Sequence, residues 1–154
     1  SRSDPNIAVI LPIKIVVTDC IKDWLLTWQF FVRNKDYHSA MHLFRGDVWS
    51  FGTVASSVSS LEGLVAYQWK VVWERSTDFT FDMETMKLFP SVNDDLVVVA
   101  IQWFGKGIDE RVGQSFGRRG RASIVLEKED ERFLCIHSHF SINPDCALKD
   151  WSAS

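Results

Sequence analysis

The stretch that most constrains this chain is GRASIVLEKEDERFLCIHSHFSI, residues 120–142. Its two arms, 121–127 and 132–142, are rich in β-branched and aromatic side chains. Between them, Glu127-Lys128-Glu129-Asp130-Glu131 is too charged to be buried and has to form the solvent-facing reversal. A β-hairpin of this length needs a partner layer, because an isolated two-stranded ribbon is at best marginal in water.

The rest of the chain is large enough to supply that layer. With 154 residues, 46% of them hydrophobic and 24% charged, it falls in the range of a single globular domain with a real core. Seven tryptophans have to leave water in a core, at an interface or in a lined cavity. A net charge of −3 gives no field to attract a polyanion, which argues against nucleic acid and acidic membrane as partners. Cys20, Cys135 and Cys146 are an odd number without paired spacing, so a reducing, cytoplasmic setting is expected. No apolar run approaches the roughly 20 residues of a membrane span. Ile7 to Val17 is broken by Pro12 and Lys14, lacks the basic start of a signal peptide and reads as part of an extended arm over residues 1–18.

From Asp19 to Val32, Ile21, Trp24, Leu25, Trp28, Phe31 and Val32 recur at three and four, which predicts an amphipathic helix. Asp36 can cap a second, shorter helix ended by Gly46, and Trp49, Ser50 and Phe51 follow as a short strand. Leu61 to Glu74 reads as a third helix with Ser60 as its cap. Thr77 to Leu88 alternates with period two and shifts phase near Glu84, which predicts a bulge. Leu96 to Phe104 is apolar except for Gln102, as in a central strand. Gly105 to Gly120, with five glycines and three arginines, reads as a long loop or a loosely paired strand end. The expected fold is α+β: three N-terminal helices packed on a strongly curved, mostly antiparallel sheet, forming a cone whose open mouth holds a pocket.

Asn34-Lys35-Asp36-Tyr37, Trp49-Ser50-Phe51-Gly52, Leu61-Glu62-Gly63-Leu64 and Cys135-Ile136-His137-Ser138-His139-Phe140-Ser141, in this order of elements, resemble the SnoaL-like branch of the nuclear transport factor 2 (NTF2-like) superfamily. The chain is especially similar to the association domain of calcium/calmodulin-dependent protein kinase II. The resemblance implies an NTF2-like domain over 19–143, with 144–154 as a C-terminal tail. It also implies that Tyr67, Gln102, Ile124 and Phe140 face the cone interior, where the kinase domain has arginines or a histidine at several positions. Relatives include polyketide cyclases, ketosteroid isomerases, dehydratases, a metal-free carbonic anhydrase group and non-catalytic hubs. The carbonic anhydrase group carries three histidines and two serines on its final strand, against His137-Ser138-His139-Phe140-Ser141 here.

The residues leave three functions open. The first is a domain enclosing a small hydrophobic or weakly polar molecule, with or without isomerase-, cyclase- or dehydratase-type turnover. Its expected lining is Trp24, Trp28, Trp49, Phe51, Tyr67, Gln102, Ile124, Ser138 and Phe140, because a glutamine inside LVVVAIQWF needs a hydrogen-bond partner. His38, His42 and Asp47 are the candidate bases, or else simply a solvated face. The second is a non-catalytic association module, a homodimer through the outer sheet face, with Trp103 exposed beside Val97, Val99 and Ile101 and with His137 and His139 at its rim. The third is the carbonic anhydrase reading. His137 and His139 share one face of a strand but lack a third ligand, so neither a metal nor any other cofactor is expected. Arg111, Arg118, Arg119 and Arg121 match no phosphate-loop spacing and read as solvated.

Overall fold

The computed structural model describes residues 5–144, with side chains from residue 16 onward. The elements run α1 (Pro5–Asn34), α2 (Tyr37–Met41), β1 (Phe44–Phe51), α3 (Leu61–Leu64), a π-helical turn (Val65–Trp69), α4 (Lys70–Trp73), β2 (Ser76–Pro90), β3 (Leu96–Asp109), β4 (Gln114–Glu129) and β5 (Arg132–Ile142). The sheet order is β1-β5-β4-β3-β2. β2 to β5 form an antiparallel meander, and β1 adds to β5 in parallel, so the five-stranded sheet is mixed.

The expected starts of α2 and α3 follow from their caps, but α2 ends at Met41 and not at Gly46, which lies inside β1. Lys35 sits at φ +53, which breaks α1 from α2, and the Asp36 side chain accepts from Ser39 N. Asp36 is acidic beyond the ordinary carboxylate, chiefly because of that hydrogen-bonding to Ser39. Ser60 caps α3 by accepting from Gly63 N. The third helix is one rod in three pieces, α3, the π-helical turn and α4. The bulge foreseen near Glu84 is the register shift between Asp82 and Lys87. The charged reversal is the turn between β4 and β5, where Asp130 takes φ +54.

Two expectations are corrected here. The stretch read as an extended arm is helical from Pro5 and belongs to α1. Pro12 removes one N–H rung from that helix, and a helix continued on both sides survives the loss of a single rung. Residues 105–120 are not a loop either: Gly105 to Asp109 pair in register with Arg118 to Gln114 and extend the β3–β4 hairpin to its tip. Two glycines of that stretch serve close packing. A Cβ on Gly120 would run into the Trp103 ring and the Ser141 carbonyl, and one on Gly107 into the Phe116 ring.

The core lies between α1, the 61–73 rod and the concave face of the sheet. Trp28 is its centre: its ring lies 4.9 Å from Phe44, 5.3 Å from Trp24 and Phe140, and 5.8 Å from Phe81, mostly edge-on or tilted. Along β3, burial alternates strictly from Leu96 to Phe104, with Val97, Val99, Ile101 and Trp103 buried and the residues between them turned outward. That sets the phase of the whole sheet, because cross-strand partners share a face. Trp103 pairs with Phe81 and Gly120, and Val99 with Leu88 and Ile124, all concave. Gln102 pairs with Asp82 and Arg121, and both neighbours are convex with it.

Candidate functional site

Where the 61–73 rod and the end of α1 diverge from the sheet, a cavity of about 70 Å³ opens. Trp28 and Val32 of α1 form one wall, and Leu64, Trp69, Val72 and Trp73 of the rod a second. Phe79, Trp103, Ser138 and Phe140 of the sheet form the third. Trp69 and Trp73 stack on each other with centroids 4.7 Å apart and planes 16° apart, so the rod presents flat rings to the space. The volume is small against the 300–1,000 Å³ of sites for drug-sized ligands, which restricts an occupant to about one ring.

Polar groups are few and at the rim. The Ser138 hydroxyl is buried and shares a 2.9 Å hydrogen bond with Ser50. Gln68 is buried in the π-helical turn; its Oε1 accepts from Val54 N at 2.9 Å and Ala55 N at 2.8 Å, and its Nε2 donates to Thr53 Oγ1. These bonds fasten the loop after β1 to the rod and close one side of the mouth. The extra residue of a π-turn re-aims a side chain, a device common at functional sites. Opposite, Arg118 lies with its guanidinium carbon 5.5 Å from the centre of the Trp103 ring, while Nη1 donates to Ser76 Oγ at 3.4 Å. Burial holds the Arg118 pKa below that of a free guanidinium. Three buried indole N–H groups, of Trp24, Trp28 and Trp103, have no hydrogen-bond partner among the described residues, and two of these rings are cavity walls.

Of the residues expected to line the pocket, Trp28, Phe51, Ser138 and Phe140 do so. Phe51 is at the mouth, but its ring lies against His137 and His139 at 5.4 and 5.3 Å on the convex side. Trp24 and Ile124 are buried in the core away from the cavity lining. Trp49 is 52% exposed on the convex face and Tyr67 is 67% exposed on the outside of the rod, so neither reaches the space. Gln102 and Trp103 are exchanged: Gln102 faces solvent, and Trp103, expected at an outer interface beside Val97, Val99 and Ile101, is a cavity wall at 4% exposure. In a strand that is apolar on both faces, alternation does not say which phase points inward; the gap beside Trp28 accepts the larger side chain.

His137 and His139 are convex as expected, and a ring nitrogen of His137 lies 2.7 Å from the Trp49 carbonyl. Ser138 faces the opposite side of the sheet, so the His-Ser-His run does not converge on one point. Among the described residues no cluster of three histidine, cysteine or acidic side chains could hold a metal ion. His38 and His42 stack edge-on with each other near α2, and Asp47 pairs with Arg45 at 3.1 Å; none of these three lines the cavity. Sequence reasoning missed Arg118 and Gln68. A signal for the first existed: Ile124, Ala122, Gly120 and Arg118 form one period-two series, and the two small residues make room above Trp103.

A cone of helices over a curved sheet, with an aromatic cavity at its wide end, defines the NTF2-like class of small α+β domains. The chain belongs to the SnoaL-like domain family, which matches residues 19–144. Solved structures share the fold. An NTF2-like protein of Salmonella enterica superimposes with a TM-score of 0.71 at 13% identity, over 84% of this chain and 92% of the other. The association domain of C. elegans calcium/calmodulin-dependent protein kinase II gives 0.63 at 17% identity, over 83% and 96%. A ketosteroid isomerase-like protein of Erwinia carotovora gives 0.68 at 13% identity, over 80% and 94%. No curated protein matches the sequence at a significant level. No helix among the described residues is long and apolar enough to cross a membrane.

Proposed function

We propose that this SnoaL-like domain captures a small ring-sized molecule in the cavity between α1, the 61–73 rod and β3–β4. The observation that carries this reading is an aromatic cavity whose polar groups sit at its rim, the usual organisation of a small-molecule site. The lining side chains offer hydroxyls, an amide and cations, groups that hold and orient a ligand. Isomerase, cyclase or dehydratase chemistry would need in addition a base titrating near neutral pH within reach of the substrate. The candidate bases, His38, His42 and Asp47, are not among the lining residues, so capture fits the geometry better than turnover. Carbonic anhydrase chemistry fits least, because His137 and His139 lie on the convex face, away from the cavity that Ser138 lines.

A ligand bound only by the folded state raises the melting temperature by mass action, by about 2.7 kcal/mol at a hundred times its Kd. Thermal shift against a panel of single-ring compounds should give concentration-dependent stabilisation, and Trp28→Ala should abolish it. A flat response from the whole panel at millimolar concentration would sink the reading.

A second reading, compatible with the first, is self-association through the convex face. Trp49 and Phe89 are 52% and 51% exposed there, in one cross-strand row with half-buried Val98 and Val125, and Phe104, 45% exposed, lies further along β3, exposed apolar side chains that a second sheet could cover. Trp49 and Phe104 take over the role first given to Trp103, with His137 and His139 beside them. Light scattering at micromolar concentration should return a dimer mass and the Trp49→Glu/Phe104→Glu variant a monomer mass; a monomeric wild-type chain ends this reading.

A further inference from the structure

Arg118 differs from the chain's other ion-pairing arginines. Arg45 has Glu127 at 2.7 Å and Asp47 at 3.1 Å, Arg75 has Glu110 at 3.3 Å, and Arg111 has Asp109 at 3.4 Å. All of these are surface pairs. Arg118 is the one drawn into an aromatic mouth, and it makes no carboxylate pair among the described residues. Among the described residues its one hydrogen bond is a long one to Ser76 Oγ, and its guanidinium lies over the face of Trp103. The other cation at the rim, Lys106, is already engaged with Asp78 at 3.7 Å.

A half-buried guanidinium without an anion carries a desolvation cost, and its five donors in a planar fork suit two oxygens of a single group. The cation–π contact with Trp103 offsets part of that cost without using the donors. The site therefore presents hydrogen-bond donors, one unmatched positive charge and flat apolar walls.

We propose that the cavity selects a planar single-ring monoanion, a carboxylate or sulfonate, whose ring lies among Trp28, Trp103 and Phe140 and whose oxygens meet the Arg118 guanidinium. This rests on the cavity being a ligand site. The ring requirement comes from the walls and the volume of about 70 Å³, which excludes a fused polycycle. The single charge comes from the single unmatched cation.

Calorimetric titration of the full chain with benzoate, benzenesulfonate, phenyl phosphate and the neutral isostere benzamide tests it. Hydrogen bonds to a charged group are worth about 1.5–3 kcal/mol, so benzoate or benzenesulfonate should bind at least about tenfold more tightly than benzamide. In Arg118→Gln that ratio should fall to about one. Benzoate and benzenesulfonate binding no better than benzamide to the wild-type chain overturns the anion assignment while leaving a ring-binding cavity. Tightest binding by phenyl phosphate, a dianion, overturns the single-charge assignment. If none of the four binds, the capture reading itself fails. Should Arg118→Gln not fold, the wild-type ratio of benzoate to benzamide decides alone.

Discussion

The two faces of the sheet are built from the same strands and much the same amino acids, yet they do opposite work. Within β3, Trp103 is 4% exposed and its neighbour Phe104 is 45% exposed. On the concave side, Trp103 touches Phe79, Phe140 and the Arg118 guanidinium and bounds a cavity. On the convex side, Phe104 pairs across the sheet with Thr80 and Arg119 and no element among the described residues packs over it. The arginines divide the same way: Arg119 and Arg121 point out into water, whereas Arg118, one residue before Arg119 and in phase with the core, points in. Residue type alone does not decide a side chain's role here. What decides it is whether α1 and the 61–73 rod lie over it.

The largest effects should come from breaking the concave side. Trp103→Ala removes a fully packed indole and should cost about 3–5 kcal/mol, read from the denaturation midpoint, whereas Phe104→Ala on the other face should stay within about 0.5 kcal/mol. Equal losses at both positions would mean that the convex face is as fully buried as the concave one, as a tight dimer would make it. Next in size is Gly120→Ala. Its added methyl meets the Ser141 backbone and the Trp103 ring, and overpacking of this kind costs about 1–3 kcal/mol. The neighbouring Gly117→Ala, which meets nothing within 4 Å, should be near neutral in the same assay.

Comparable in size is Ser138→Ala, which leaves the buried Ser50 hydroxyl without its partner at a cost of about 1–3 kcal/mol. The double variant Ser50→Ala/Ser138→Ala should lose less than the sum of the two single variants, because no orphaned hydroxyl remains. Additive losses would show that the two serines act separately. The smallest effect is expected from Gln102→Ala. Exposed on the convex face, Gln102 should change stability by no more than about 0.5 kcal/mol, where a pocket position would have cost ring binding as well.

Much of the architecture was legible in the chain because local rules carry it. The spacing of Ile21, Trp24, Leu25 and Trp28 predicted the described core of α1, Asp36 and Ser60 marked helix starts that their caps fulfil, and Glu127 to Glu131 marked the turn of the last hairpin. Quoted motifs along the whole domain pointed to the SnoaL-like family, and residues 19–144 match it. Period-two patterning failed where both phases are apolar, in Leu96 to Phe104, and glycine content misled in residues 105–120, where the small residues clear space for Trp103 and Phe116 rather than make a loop.

By itself, then, the sequence determined the elements, their order and the family, since helix period, caps and turn residues act over a few neighbours along the chain. Three features were decided only by tertiary structure: the parallel addition of β1 to β5, the inward phase of Trp103, and the placing of Arg118 over that ring. Each depends on contacts between segments far apart in the chain. The free energy of burying an indole or leaving a guanidinium half-solvated is set by what lies opposite it, and no local pattern of residues encodes that neighbour.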